Sequence, residues 1–463
     1  MTQDRPPIAV LATADTKGAE AAFLRDELRR RGWPVRVVDV GLTSADEWST
    51  HPDLAGEWPI HPDVPAEQVA RAAGQRLAQL RDRARRDEAM AAMAEGAGRL
   101  LADWYRRGDL AGAVGLGGNQ GTAITAGAMR ELPLGVPKLV VSTVASGDIR
   151  GFIADSDIAV LFSVGDLLGG PNPVTARVLR QAAGAVAGMA EALAPDARES
   201  PAARGPVVAV TAFGNTHAAV TAAMERLAGA GVETVPFHAS GASGSAMERL
   251  IDEGTFVGVL DLTTHELLGE LYPADIYAPV RPGRLTAAGR RGVPQVVAPG
   301  GLEYHCFAAA DTIPAALRAR PTHHHNANNT NVRASAEELV AVAEEMARRL
   351  GTAAGPVAVL IPRRGWSEVG SPGGVLHDPA ANAAFVDALR RALPPRVALR
   401  ELDSTINDPA FAAAAAETML DFLSSEGVAD EPGTGTRDRD GHRAGDGRGG
   451  TGDDARRGPV RAR

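Results

Sequence analysis

A chain of 463 residues with 44% hydrophobic and 23% charged side chains has room for two large domains. Its formal charge of −9 excludes the strong basic excess of a protein whose main partner is a nucleic-acid backbone, and its single cysteine, Cys306, excludes a disulfide framework and an all-thiolate zinc site. With aromatic residues at only 4%, the cores must be built from Val, Leu, Ile and Ala, which favours helices stacked on parallel sheets.

In chain order, residues 8–12 (IAVLA) form an apolar run too short for a helix, and 20–30 carry apolar residues at helical spacing up to a stop at Gly32. Residues 35–40 read as a second strand, completing a β-loop-α-β unit. A polar insertion follows, with a helical pattern over 66–107 rich in Ala and Arg that reads as a solvated or subunit-facing cover. Strands are predicted at 112–118 and 135–141. The same grammar recurs at 207–210, 235–238, 257–263 and 292–297, so the chain reads as two related α/β lobes. Prolines at 195, 201 and 206 mark the boundary, which places the lobes at 1–200 and 205–425. The second lobe continues with a helix at 336–350, a strand at 357–362, a helix at 380–393, a strand at 397–402 and a helix at 409–423. Residues 426–463 are Gly, Asp, Arg and Thr with almost nothing apolar, the composition of a disordered tail. No stretch approaches the roughly 18–20 apolar residues of a membrane helix and no apolar leader opens the sequence, so the expectation is a cytoplasmic chain with no membrane contact.

In an open parallel sheet, ligands bind beyond the carboxyl ends of the strands, which converts the strand map into a short set of loops. In lobe one, Gly117, Gly118, Asn119, Gln120, Gly121 and Thr122 lie between a strand and a helix, where glycines let backbone N–H groups approach an anion at a positive helix end. Thr13, Asp15, Thr16 and Lys17 add hydroxyls, a carboxylate and an ammonium; Ser142, Thr143, Ser146 and Gly147 add a third polar loop. Together they read as a phosphate and ribose pocket, although Asp15 and Thr16 also suit helix capping. Lobe two offers an anion cradle at 238–245 and a set of ionisable groups. His238, Glu303 and His305 are candidate acid–base residues, and His323 and His325 candidate metal ligands, although their spacing matches no standard zinc signature. Cys306 reads as a packing residue.

Six motifs taken together carry a resemblance: TADTK at 13–17, GGNQGT at 117–122, VSTVASG at 141–147, FHASG at 237–241 with AME at 246–248, DLTT at 261–264, and HHHN at 323–326 with Arg333. In this order they resemble an uncharacterised protein family that includes the ATP-binding domain of the plant tomato mosaic virus resistance protein. The resemblance spans residues 8–393. It implies an ATP-binding protein of two Rossmann-like lobes that forms a homodimer, with Mg²⁺ or a ribose hydroxyl on Asp15, and it supplies no reaction. The alternative expectation is an enzyme acting on a small carboxylated or phosphorylated metabolite in the cleft between lobes, assisted by a transition metal on the His-rich loop.

Overall fold

A computed structural model describes residues 5–43, 60–81, 86–193 and 205–425. The tail at 426–463 and part of the insertion lie outside them. The first lobe is built on a five-stranded, fully parallel sheet of β1 (Ile8–Ala12), β2 (Val35–Asp39), β3 (Gly112–Gly117), β4 (Lys138–Ser142) and β5 (Ala159–Phe162), in the order β2-β1-β3-β4-β5. Side chains alternate across each strand, and helices cover both faces. Ile8 and Val10 pack under the helices Ala14–Arg30 and Thr175–Ala192, while Ala9 and Leu11 face Arg86–Arg106 and Asn119–Met129.

The second lobe contains β6 (Val207–Ala212), β7 (Glu233–His238), β8 (Gly258–Asp261), β9 (Gln295–Val297), β13 (Val357–Pro362) and β14 (Ala398–Leu402) in a parallel sheet ordered β7-β6-β8-β9-β13-β14. This is the order of the first lobe with one strand added at the far edge. The repeat visible in the sequence is therefore a repeat of topology. Val208, Val210, Ala358 and Leu360 pack against the helices His217–Gly229 and Pro409–Ser425; Val357, Val359 and Ile361 pack against Ala336–Leu350 and Pro379–Ala392.

A small antiparallel sheet, β10 (Tyr304–Phe307), β11 (Thr322–Asn326) and β12 (Asn329–Arg333) in the order β10-β12-β11, has no counterpart in lobe one. It incorporates the HHHN run, expected as a loop, into a hairpin. The predicted single helical pattern over 66–107 is divided into Ala66–Ala72, Leu77–Arg81 and Arg86–Arg106. Arginines join the lobes: Arg150 donates to the carbonyls of Ile276 and Ala278, Arg249 to those of Arg130 and Leu132, and Arg281 pairs with buried Asp155 at 2.8 Å. Among the described residues, no helix is long and apolar enough to cross a membrane.

Candidate functional site

In lobe one the strand order reverses direction between β1 and β3, and the crevice beyond their carboxyl ends is where such sheets take ligands. A cavity of about 420 Å³ lies there, within the roughly 300–1,000 Å³ of small-molecule sites. Nine of the fourteen residues expected to hold a nucleotide line it: Thr13, Asp15, Thr16, Lys17, Gly117, Gly118, Asn119, Gln120 and Gly121. Thr122, Ser142, Thr143, Ser146 and Gly147 do not. Thr122 and Ser142 are buried behind the wall and their hydroxyls bond each other at 2.7 Å.

Two helices start at this cavity. The helix expected at 20–30 is preceded by a turn from Ala14 that kinks at Lys17, and the helix expected after Thr122 begins at Asn119, so both glycine and TADTK segments are first turns as much as loops. Neither Thr13 nor Gly118, the residues preceding them, caps its helix through a side chain. The positive end of the second helix dipole thus lies at the same space as the Ala14 to Lys17 turn. The close approach of the second helix requires glycine: a Cβ on Gly117 would lie 2.6 Å from the Cα of Gly121. Gly118 is different. A Cβ there meets only the Thr143 hydroxyl at 3.5 Å, and its backbone is extended.

Asp15 and Thr16 are not engaged in capping. The Thr16 hydroxyl bonds that of Thr13 at 2.7 Å, and one Asp15 oxygen accepts from Thr43 Oγ1 at 2.8 Å. The other, Oδ1, is buried and has no hydrogen-bond partner among the described residues. Lys17 lines the cavity and donates to the Leu167 carbonyl.

Below them sits Asp39, a residue the sequence reading missed. Its Oδ1 accepts from the N–H groups of Ala14 at 3.0 Å and Gly41 at 2.9 Å, tying β2 to the start of the first helix. Burial pushes its carboxyl up to about 7 against the pull of those two donors, and the neighbouring charges of Asp15 and Glu67 add to the rise. Its place at the carboxyl end of β2 was the available signal. Arg86 and Thr43, also on the wall, carry no comparable mark in the sequence.

In lobe two the equivalent crevice, between β6 and β8, is roofed by the small sheet and reduced to a cavity of about 150 Å³. The expected anion cradle at 238–245 is filled by the chain itself: the Glu266 carboxylate accepts from the N–H groups of Gly241 and Gly244. Arg284, fully buried, holds that carboxylate at 2.6 Å and also binds Glu248 and Asp261. Burial raises the pKa of Glu266 and of Glu248 despite Arg284.

The lobe-two candidates scatter. His238 and His325 reach the small cavity, and burial lowers the pKa of His238. His323 stacks against His325 at 6.1 Å between ring centroids. His305 instead bonds Glu338 at 3.1 Å inside the cap of the helix Ala336–Leu350, and Glu303 is buried against the Gly370 backbone, where burial raises its pKa. His265, Asp275 and Cys306, all buried, come together beside the cavity. The chain segment holding Asp275 has no regular pattern that would have revealed this.

The fold and the site define a two-lobed, doubly wound α/β protein with a polar cavity at the switch point of its first lobe. Family models of the uncharacterised protein family UPF0261 match it over nearly its described length, the N-terminal domain over residues 6–195 and the C-terminal domain over 205–423. The chain belongs to this family. It is similar to a UPF0261 protein of Clostridium tetani, 34% identical over 90% of this chain and 98% of that one, and to one of Mesorhizobium japonicum, 38% identical over 88% and 97%. It is also 36% identical to the ToMV resistance protein Tm-1(GCR237) of Solanum lycopersicum, over 68% of this chain and 42% of that one.

Proposed function

We propose that the lobe-one cavity binds ATP, with the phosphates at the two helix starts. The observation that carries this reading is the convergence of the helix start at Asn119, the Ala14 to Lys17 turn with the Lys17 side chain, and the Gly117 to Gly121 backbone on one cavity at the switch point. Phosphate charge is neutralised there by N–H groups and Lys17. The residues also suit Mg²⁺, a hard cation that takes oxygen ligands: Asp15 Oδ1 lacks a partner among the described residues, and Thr13 and Thr16, whose hydroxyls bond each other, line the same cavity. Bound Mg²⁺ would offset the charge of the β- and γ-phosphates. The proposal is one of binding and carries no hydrolytic step.

Isothermal titration with ATP and Mg²⁺ tests it. Wild-type protein is expected to bind one ATP per chain. Lys17→Ala is expected to weaken binding at least tenfold, the loss of one charge-assisted contact. Gly118→Val places a side chain in the cavity without a backbone clash and is expected to block binding while leaving the fold intact. Absence of ATP binding in wild-type protein, or unchanged affinity in both variants, overturns the proposal.

A further inference from the structure

Beside the small lobe-two cavity, one nitrogen of His265, a carboxylate oxygen of Asp275 and the sulfur of Cys306 lie within 4.8 Å of one another, all three residues being at most 3% exposed. Their orientation is set from outside. His265 Nδ1 bonds the Gly301 carbonyl at 2.7 Å, an acceptor only, so Nδ1 carries a proton and Nε2 is the nitrogen that faces Asp275, 3.2 Å away, a donor when protonated and a ligand when not. The Asp275 oxygens accept from the N–H groups of Tyr277 at 2.8 Å and Cys306 at 2.7 Å. The Cys306 sulfur accepts from Asn331 Nδ2 at 3.1 Å, and Asn331 is itself held by Asn329.

The positive charge that the buried Asp275 carboxylate needs beside it can be a proton on His265 Nε2 or a metal ion in that proton's place. A catalytic relay would need His265 to face the carboxylate with one nitrogen and the thiol with the other. Here Nδ1 is committed to the Gly301 carbonyl, and the Asp275 contact is made by Nε2. The arrangement has instead the attributes of a ligand set. Each donor is fixed by an outer hydrogen bond, the imidazole through its far N–H to a carbonyl, as metal-bound histidines are. The 3.2 Å separation of Nε2 and Oδ2 matches the edge of about 3.3 Å expected between N and O ligands of a tetrahedral zinc ion.

We propose that His265, Asp275 and Cys306 bind a single Zn²⁺ ion, with neutral imidazole, carboxylate and thiolate as ligands. Two negative ligands balance the dication, which removes the cost of burying them. Cys306 lines the cavity together with Asn215, Tyr304 and His238, so a fourth position left open by the three ligands would be reached from it. Three protein ligands and one open position define a zinc site of the catalytic type, able to hold water or a small oxyanion. This proposal is independent of nucleotide binding in lobe one.

Elemental analysis and Co²⁺ substitution of the untagged full-length protein test it. Protein dialysed against Zn²⁺ and then buffer is expected to retain about one zinc per chain, and the Co²⁺ form to show tetrahedral d–d bands with a thiolate-to-cobalt charge-transfer band. Cys306→Ser keeps the volume and the Asn331 contact; it is expected to lose the charge-transfer band and at least 90% of the zinc. Asn331→Leu is expected to weaken zinc binding about 10–100-fold, the effect of removing an outer-shell partner. If Cys306→Ser does not fold, the wild-type cobalt spectrum decides alone. Less than 0.1 zinc per chain in wild-type protein, the absence of a charge-transfer band, or equal binding in wild type and Cys306→Ser overturns the proposal.

Discussion

Asp39 shows what a single buried carboxylate does to the first lobe. Its two backbone donors fix the entrance of the Ala14–Arg30 helix, yet burial outweighs them and holds its pKa at about 7. An acid whose folded pKa lies above its unfolded value of about 3.9 gives stability that is complete below pH 4 and lost as pH rises to 7. Over that window the loss is on the order of 4 kcal/mol. Asp39→Asn preserves an acceptor for both N–H groups and removes the titration. Denaturant unfolding at pH 4.5 and pH 8 is expected to show the variant close to wild type at the lower pH and more stable at the higher one; the same pH dependence in both proteins would refute the assignment. Of the residues that matter at this scale, Lys17 and Gly117 to Gly121 were legible because TADTK and GGNQGT follow apolar strands directly. Arg86 and Asp275 were not, because each reaches its site from a segment far away in sequence whose local pattern is generic.

The strand-to-helix turn at Gly117 is the element on which the cavity depends. Two glycines four apart let the helix Asn119–Met129 lie directly on the end of β3, and this contact aims the helix N-terminus at the cavity. Gly117→Ala is expected to cost about 1–3 kcal/mol, since backbone must move away from backbone. Gly118→Val, one residue on, is expected to leave stability within about 0.5 kcal/mol of wild type. Chemical denaturation of the pair checks this, and equal losses would show that the two glycines do not divide packing from ligand access. Helices and strands of lobe two were predicted closely where caps and periodicity agree. The helix Ala336–Leu350 begins at a capping box of Ser335 and Glu338, and the strand Val357–Pro362 is apolar throughout. The hairpin of β11 and β12 was missed because Thr322–Asn326 is polar and largely exposed, so no apolar alternation marks the strand.

The two lobes have separate cores and are joined by arginines that donate to main-chain carbonyls of the other lobe. Arg249 reaches Arg130 and Leu132, just past the end of the helix that starts at Asn119, so lobe two favours the dipole of the helix whose other end forms the cavity. Replacing Arg150 and Arg249 together by Ala is expected to uncouple the lobes. Differential scanning calorimetry should then resolve two transitions where wild-type protein shows one. A single transition in the double variant would mean that the remaining interface suffices for cooperativity.

Hydrophobic alternation and turn chemistry act locally, which is why the sequence alone determined most strands of the two parallel sheets, several of the long helices, the doubled α/β plan and two of the loops that meet at the first switch point. Hydrogen bonding and burial across the chain decided the rest. Only the folded molecule shows that Glu266 fills the lobe-two cradle, that His305 belongs to a helix cap, and that His265, Asp275 and Cys306 share one site. Each of these depends on partners 10 to 41 positions apart, and no local pattern records such distances.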